Sequence, residues 1–355
     1  VCGRRADRKI KENNMLEIGT IQNLTVVKKV DFGVYLSPWD MHDERYGTDA
    51  YNDYFCNQLT ELLTNYGEIF EVWFDGAKGS NAKKFEYDWQ RYYDLIRKFQ
   101  PKANIAICGP DIRWVGNEGG KSRKSEYSVV PCALREADRI MALSQQDENQ
   151  ASSLQKYNQM DEDLGSRKIL EKNAYICWFP AEVDVSIRKG WFFHEKDNRN
   201  SKSAKKLFKI YLNSVGNNCT LLLNIPPTPQ GEIHKKDAKN LKKLGSMIKN
   251  ITANPIVYNE LGELTKDNGV LDFDFNDTRK VKYVVLQEDI TKSQRVELFD
   301  LYIKKANGKY KRVYKGTVIG SKKIINLKGK KANGIRFVIR QSRSNPVIKS
   351  IGIYE

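Results

Sequence analysis

Residues 69–77 read Ile69-Phe-Glu-Val-Trp-Phe-Asp-Gly-Ala77. This stretch predicts a short buried strand that ends in a single carboxylate, Asp75, followed by Gly76. Such an ending is typical of a (β/α) barrel, whose catalytic face lies where strand ends meet loops and where a glycine lets a ligand approach the backbone. Asp-Gly is also a common turn pair, so the stretch by itself leaves a plain turn open. The rest of the chain decides between these two interpretations.

The composition is that of a globular protein. The chain has 355 residues, of which 40% are hydrophobic and 29% are charged, which suggests two or three domains with a sizeable core. No apolar run approaches the roughly 20 residues of a membrane span. The polar, basic opening does not have the pattern of a signal peptide. We therefore expect no membrane span.

Charge, cysteine and histidine usage exclude several functional classes. The net charge of +16 would suit a nucleic-acid partner, but the lysines and arginines are scattered and no nucleic-acid-binding motif accompanies them. We interpret them as a solvated basic surface and expect no nucleic acid. The six cysteines form no Cys-x-x-Cys pair, and the three histidines are far apart. No disulfide framework, metal or cofactor is therefore expected.

Strand and helix patterns alternate after residue 31. A strand at Phe32–Ser37, a helix at Tyr51–Tyr66 and the strand ending at Asp75 form a unit that implies parallel pairing and a right-handed crossover. The alternation then continues with strands predicted at Asn104–Cys108, Ala174–Phe179 and Cys219–Asn224, and with helices near 89–99, 203–215 and 235–249. Residues 181–200 read as a long loop.

Five parallel strands are compatible with a barrel or with an open doubly wound sheet. No Gly-x-Gly-x-x-Gly segment follows any strand, so a nucleotide-binding sheet is disfavoured. A closed barrel needs eight strands, and only five are visible in the pattern. From Val257 onward short alternating runs separated by polar turns predict an antiparallel β-sandwich. We divide the chain into residues 1–30, unassigned, a partial barrel at 31–254 and a sandwich at 255–355.

The residues at the predicted strand ends suit carbohydrate chemistry. Aromatic rings stack on the apolar faces of sugars, and most of a set of five tryptophans lie at or just after a strand end: Trp39, Trp73, Trp114, Trp178 and Trp191. Packing of these rings in the hydrophobic core is the other interpretation, and Trp178 fits either one. Glycoside hydrolysis needs two carboxyl groups facing one bond, about 5–5.5 Å apart in a retaining enzyme. Asp75 is the natural nucleophile, and both Glu118 and Glu182 are candidates for the acid/base.

Several segments in order resemble the α-L-fucosidases of glycoside hydrolase family 29. They are Tyr35-Leu-Ser-Pro-Trp-Asp40, Tyr66-Gly67, Glu71-Val-Trp-Phe-Asp-Gly-Ala77, Arg113-Trp-Val-Gly-Asn-Glu118 and Leu222-Leu-Asn-Ile-Pro-Pro227. The likeness extends over about residues 31 to 355. It implies a distorted (β/α)8 TIM-like barrel followed by a sandwich, no cofactor and no metal. It also implies a periplasmic or secreted location and fucosylated oligosaccharides or glycoconjugates as partners.

The resemblance assigns roles to individual residues. It implies that Asp75 is the nucleophile of a retaining exo-fucosidase. The segment ending at Glu118 looks like the subgroup that cleaves α-1,3/1,4-linked fucose from Lewis-type glycans, in which Glu118 would be the acid/base; in the broader-specificity subgroup a glutamate near Glu182 has been considered instead. We favour Glu118. The remaining sugar-binding candidates are Tyr35, Trp39, Trp73, Arg113, Trp114, Glu182 and Trp191.

The sequence also departs from the family. Members carry a His-His-Asp-Gly segment and three further barrel strands upstream of the segment that contains Tyr35, and this chain has no adjacent histidine pair. We therefore expect an N-terminally incomplete barrel, the product of truncation or frame disruption, with impaired activity. The alternative is a catalytically degenerate carbohydrate-binding protein. A nucleic-acid-binding protein, the third reading, rests on charge alone.

Overall fold

Three parallel strands and two helices form the first part of the α/β domain. The computed structural model describes residues 30–40, 42–76, 85–137, 157, 159–265 and 269–355. Strands β1 (Gly33–Leu36), β2 (Glu71–Phe74) and β3 (Asn104–Ile107) pair side by side in that order. Residues 1–29, nearly all of the segment left unassigned above, lie outside the described residues, as does Ala77.

Helices α1 (Asp49–Asn65) and α2 (Trp89–Phe99) connect these strands. Both form because apolar side chains recur at helical spacing: α1 buries Phe55, Leu59 and Leu63 on one side. The Asp88 side chain accepts a hydrogen bond from the backbone N–H of Arg91 and so caps the start of α2. The buried faces of both helices meet one apolar cluster that also includes Val72 and Phe74 of β2.

The second part of the domain contains three more parallel strands. These are β4 (Arg113–Trp114), β7 (Ala181–Ser186) and β8 (Thr220–Asn224), paired in the order β4-β7-β8. A single parallel bridge between Ala106 and Ile112 joins β3 to the start of β4. The order of these six strands thus follows the chain without reversal. Sequential order is that of a barrel, whereas an open doubly wound sheet reverses at a switch point.

One strand predicted for the barrel forms, but it does not belong to the parallel set. The apolar run Ala174–Phe179 yields β6 (Ile176–Trp178), which pairs antiparallel with β5 (Val129–Pro131) outside the parallel set. The barrel strand is instead β7, which lies within residues 181–200, the stretch that the sequence predicts to be a loop. Its apolar residues alternate with Glu182, Asp184 and Ser186, and all six residues of the strand are buried. An interior lined by polar side chains hid the apolar pattern of a buried parallel strand.

Among the described residues, three further helices follow in this domain, α3 (Arg167–Leu170), α4 (Ala204–Asn213) and α5 (Lys235–Lys249). Helix α4 begins at the Ser203 cap, whose side chain accepts from the N–H of Lys206. Leu207 of α4 and Leu244 of α5 pack together with Ile187, just past β7. No helix in the described part of the chain is long and apolar enough to cross a membrane.

Six antiparallel strands form the C-terminal domain. They are β9 (Pro255–Glu263), β10 (Val270–Glu288), β11 (Val296–Lys304), β12 (Tyr310–Gly316), β13 (Lys323–Ser342) and β14 (Val347–Tyr354), ordered β12-β11-β13-β10-β14-β9. The register of β10 on β13 shifts between Asp274 and Arg279, and such irregularities bend long strands. Apolar residues from all six strands meet in one core. The expected TIM-like barrel domain and antiparallel sandwich are confirmed.

Polar and apolar contacts join the two domains along a continuous seam. Val318 packs with Tyr127 and Phe179 of the barrel domain. Farther along, Tyr283 and Val285 of β10 pack against aromatic residues of α4. Single polar side chains cross the seam as well: the Ser125 and Thr317 hydroxyls lie 2.7 Å apart, and the N–H of Ser128 donates to Gln294 at 2.9 Å.

Candidate active site

Every second residue from Glu71 to Asp75, along β2 and just past its end, faces the barrel interior. Val72 and Phe74 are fully buried in the core beneath the helices, whereas Glu71, Trp73 and Asp75 alternate with them and are partly open. This period of two is the geometry of a strand. Asp75 follows the last residue of β2, so its carboxylate stands at the carboxyl end of the strands, where barrel enzymes carry their chemistry.

Asp75 is oriented by Tyr35 of the neighbouring strand. The Tyr35 hydroxyl donates a hydrogen bond to Asp75 Oδ2. Burial, followed by this contact with the carboxylate, raises the pKa of Tyr35, so the phenol remains a donor. The Tyr35 ring stacks on Trp73 with centroids 5.4 Å apart and planes inclined by 23°. Three candidates from the sequence, Tyr35, Trp73 and Asp75, therefore form one contiguous group.

Two further carboxyl groups line the interior from β7. Trp73 Nε1 donates to Glu182 Oε1 at 2.8 Å, and Trp114 Nε1 donates to Asp184 Oδ1 at the same distance. Both carboxyls are almost completely buried, Glu182 with 1% of its surface exposed. The indole N–H of each tryptophan thus donates to a carboxyl group, and the ring forms part of the interior wall.

Burial shifts the pKa of both carboxyl groups. The pKa of Glu182 is raised to about 7, chiefly by desolvation and then by the charge of Glu71, while the bond from Trp73 opposes the shift. The pKa of Asp184 is likewise raised to about 7 by desolvation, with the charges of Glu118 and Glu182 adding to it. Near neutral pH either group can therefore hold or release a proton.

Glu118 lies on an exposed loop after β4 and is held from the opposite side. Trp191 Nε1 donates to Glu118 Oε2 at 3.2 Å. Trp191 belongs to the loop after β7, and Asn224 at the end of β8 fixes that loop: its Nδ2 donates to the Trp191 carbonyl at 2.9 Å and to Ser186 Oγ at 3.0 Å. Glu118 is close enough to Asp184 to influence its pKa. Three strand ends thus converge on this carboxylate.

The geometry does not support a sugar-binding role for Arg113. Its side chain is 1% exposed, and its Nη2 donates to Glu126 Oε2 at 2.7 Å inside the protein. The guanidinium also donates to the carbonyls of Phe179 and Tyr127. An isolated buried charge would be costly, so the Arg113 guanidinium is paired with one carboxylate and two carbonyls. These hydrogen bonds join β4 to the segments that flank it.

The other two aromatic candidates have different surroundings. Trp39 is partly buried and packs against the apolar cluster of the first three strands, and its indole nitrogen is enclosed there. Trp178, for which buried packing was an option, is 38% exposed on β6. The structure therefore brings together Tyr35, Trp73, Asp75 and Glu182 in one group and Trp114, Glu118 and Trp191 in an adjoining one.

Asp184, Ser186 and Asn224 were not among the residues singled out from the sequence. A signal for the first two was present in Ala181-Glu-Val-Asp-Val-Ser186, where polar and β-branched apolar residues alternate. That alternation indicates a strand with one polar face, and it would have placed Glu182 and Asp184 on the same side. Within the described ranges, no cluster of three His, Cys, Asp or Glu side chains could hold a metal ion.

Comparisons with known proteins point in one direction. The sequence profile of the alpha-L-fucosidase family matches residues 16–252. Alpha-L-fucosidase 1 of Arabidopsis thaliana is 33% identical over 358 positions, covering 92% of this chain and 66% of the plant protein. A crystal structure from Bacteroides ovatus, assigned by its name to the alpha-L-fucosidases, is similar with a TM-score of 0.80 and 44% identity, covering 91% of this chain and 55% of the other.

A glycoside hydrolase family 29 fucosidase of Ruminococcus gnavus, solved in complex with fucose, is similar with a TM-score of 0.76 and 25% identity. That match covers 92% of this chain and 72% of the other. This chain spans just under two thirds of the length of the plant relative and about half of the Bacteroides protein. The profile match begins at residue 16, within the stretch that the sequence patterns left unassigned.

Proposed function

The chain belongs to the α-L-fucosidase family, and from this premise we propose that its barrel face removes terminal α-L-fucose from fucosylated glycans. The observation that carries the proposal is the group at the end of β2, where Tyr35 holds the Asp75 carboxylate beside the Trp73 ring. An oriented carboxylate attacks a sugar carbon, and an aromatic face beside it packs against the ring. The fucose in the related Ruminococcus complex supports the same substrate class.

In the proposed reaction Asp75 is the nucleophile. Its carboxylate attacks the anomeric carbon and forms a covalent fucosyl-enzyme, and water then releases fucose with its configuration retained. The hydrogen bond from Tyr35 fixes Oδ2 and so restricts rotation of the carboxylate. Placement at the end of a rigid strand reduces the motion that would otherwise have to be frozen in the transition state.

We assign the acid/base role to Glu118. The group must protonate the leaving oxygen and then activate water, so it needs access to both the departing glycan and solvent. Glu118 is exposed and oriented by Trp191, whereas Glu182 is enclosed and engaged by Trp73. The raised pKa of Glu182 suits a general acid, which keeps it as the alternative.

We further propose specificity for α-1,3/1,4-linked fucose in Lewis-type glycans. Its support is the segment Arg113-Trp-Val-Gly-Asn-Glu118, which resembles the subgroup with that specificity. In the structure this segment forms β4 and the loop that presents Glu118 to the site. A branched glycan would meet this loop before fucose reaches Asp75. A periplasmic or secreted location, which the family resemblance implies, belongs to the same proposal.

The test compares variants on two classes of substrate. Asp75→Asn should lose several orders of magnitude of kcat on an aryl α-L-fucoside because no nucleophile remains. Glu118→Gln should lose roughly 10²–10⁴-fold on a Lewis-type trisaccharide but far less on an aryl fucoside whose phenol leaves without protonation. Glu182→Gln is the matched control.

Three outcomes would contradict parts of the proposal. Equal turnover by the parent chain and Asp75→Asn would remove the nucleophile assignment. The leaving-group pattern appearing in Glu182→Gln rather than Glu118→Gln would exchange the acid/base. Faster release of fucose from an α-1,2-linked trisaccharide than from a Lewis-type one would overturn the linkage assignment.

A further inference from the structure

Two cysteines occupy neighbouring positions on the β5–β6 pair. In this antiparallel ladder Val130 lies opposite Cys177, and Pro131 lies opposite Ile176. Cys132 follows directly at the start of a 3₁₀ turn (Cys132–Arg135), and its N–H donates to the Tyr175 carbonyl at 3.1 Å. Cys132 and Cys177 are therefore two residues apart in register and point to the same side of the pair.

The two thiols are neighbours on one face of the β5–β6 pair. Burial raises the pKa of Cys177 to about 12, and the interaction with the Cys132 side chain adds to this shift. Both residues are partly exposed, whereas Cys56 and Cys108 are buried in one apolar cluster and Cys219 in another. A reagent in solution can thus reach this pair, while the three other described cysteines are shielded.

We propose that Cys132 and Cys177 are a disulfide site that closes under oxidising conditions. The oxidant is a low-molecular-weight disulfide. The Cys132 thiolate attacks one of its sulfurs and releases one thiol, which leaves a mixed disulfide on Cys132. Cys177 then loses its proton and attacks the Cys132 sulfur, which expels the second thiol. Two protein thiols are oxidised and one reagent disulfide is reduced to two thiols, which take up the two protons.

The order of attack follows from the surroundings of the two sulfurs. A thiol that stays protonated is a poor nucleophile, and the pKa of Cys177 keeps it protonated at neutral pH. Cys132 therefore reacts first and Cys177 resolves the mixed disulfide. Arg135 is the charged neighbour: it donates to the Trp178 carbonyl and opposes the rise in the Cys177 pKa, so it favours the second step.

The cross-link would fix a junction next to the candidate active site. Strand β6 continues through Phe179 and Pro180 into β7, which carries Glu182 and Asp184. Strand β5 follows Glu126, the buried partner of Arg113. A bond between β5 and β6 constrains the unfolded chain across the intervening segment, and this is the usual origin of stabilisation by a disulfide.

Peptide mapping of the intact chain tests the proposal. Trypsin should release Ser125–Arg135, which contains Cys132, and Asn173–Arg188, which contains Cys177. After incubation with oxidised glutathione, the two peptides should appear linked under non-reducing conditions and separate on reduction. The oxidised chain should unfold several degrees above the reduced chain, a shift absent from Cys177→Ser.

The variants make the outcome decisive. Cys177→Ser should trap glutathione on Cys132, whereas Cys56→Ser should form the link as the parent does. Glutathione on both cysteines of the parent chain, no modification of either, or a link from one of them to a different cysteine would each overturn the proposal. None of these readouts depends on fucosidase activity.

Discussion

At the scale of single residues, Glu182 and Asp184 link the chemistry of the site to its stability. Burial raises the pKa of each carboxyl to about 7, from ordinary values of 4.5 and 3.8. Between these limits the folded chain binds protons that the unfolded chain has released. The free energy of unfolding therefore falls as pH rises from about 4 to about 7, and it changes no further from this cause above that range.

Glu182→Gln should remove much of this dependence. The amide can still accept the hydrogen bond from Trp73, but it carries no charge to desolvate. The variant should match the parent near pH 4.5 and exceed its free energy of unfolding at pH 8 by up to about 3 kcal/mol, since each pKa unit is worth about 1.4 kcal/mol. Urea unfolding at the two pH values measures the difference. Glu61→Gln, at an exposed position of α1, should show no such change; an equal effect of Glu182→Gln at both pH values would contradict the argument.

Residue-level expectations from the sequence depended on how local their cause was. Asp75 and Gly76 follow an apolar strand, so the chain itself marks that strand end. Arg113 is a sugar-binding candidate in the sequence because its motif resembles that of the α-L-fucosidases. Its actual partner, Glu126, is recognisable only when the chain folds so that both are buried. A side chain that binds a sugar and one that forms a buried ion pair look the same in sequence.

At the scale of elements, the loop after β7 is fixed by a strand that follows it. Asn224 of β8 donates to the Trp191 carbonyl, and Ser186 Oγ donates in turn to the Gly190 carbonyl at 2.7 Å. A buried ion pair between Arg188 and Asp237, 2.7 Å apart, attaches the base of the loop to α5. These contacts determine where the Trp191 indole meets Glu118.

Asn224→Asp should release Trp191 from Glu118. A carboxylate in this position would face the Trp191 carbonyl without a donor, which costs about 1–3 kcal/mol for the unpaired groups. Quenching of Trp191 emission by acrylamide should increase, with the Trp191 signal isolated by subtracting a Trp191→Phe version of each variant. Asn259→Asp, on an exposed part of β9, is the control. Unchanged quenching in Asn224→Asp would show that another contact holds the loop.

Helices were more predictable than strands. Helix α1 was expected at Tyr51–Tyr66 and runs from Asp49 to Asn65, because an apolar face at helical spacing is written into the sequence. The sequence predicts a loop where strand β7 lies, because the interior face of β7 is polar at the place where a barrel binds ligands. Function therefore obscured the structural pattern where the two coincide.

At the scale of the whole molecule, Asn218 connects the two domains. Its Nδ2 donates to the Glu126 carbonyl at 2.7 Å and to Ser128 Oγ, and its Oδ1 accepts from the N–H and hydroxyl of Ser321. Asn218 adopts φ 65°, a left-handed conformation that asparagine tolerates. A Cβ on Gly320 would lie 2.1 Å from Asn218 Oδ1, so glycine is required beside it.

Asn218→Gly tests this connection without adding backbone strain. Glycine accepts the left-handed φ, so the loss reports the side-chain hydrogen bonds together with the smaller effect of the entropy that glycine adds to the unfolded chain. Buried groups left without partners should lower the free energy of unfolding by about 2–4 kcal/mol, at 1–3 kcal/mol for each group. Urea unfolding gives the value. Asn307→Gly, in an exposed turn of the sandwich, should change stability far less; equal effects of the two would argue against a role for the seam.

The division into a barrel and a sandwich was predictable because the apolar period changes near residue 255. The seam between them was not. Its polar part consists of single contacts between residues far apart in the chain, such as Ser125 with Thr317 and Asn218 with Ser321, and such contacts produce no periodic pattern in the sequence.

The contacts along the seam also determine when, during synthesis, the loop that carries Glu118 is fully supported. The segment after Glu118 is anchored through Ser125 to Thr317 and through the Lys124 carbonyl to the amine of Lys323, 199 residues farther along. A ribosome adds about 5–20 residues per second, so roughly 10–40 s pass between the emergence of Lys124 and that of Lys323. During this interval the segment lacks its later contacts. The loop that carries Glu118 thus acquires its final support late, after the strands of the barrel have left the ribosome.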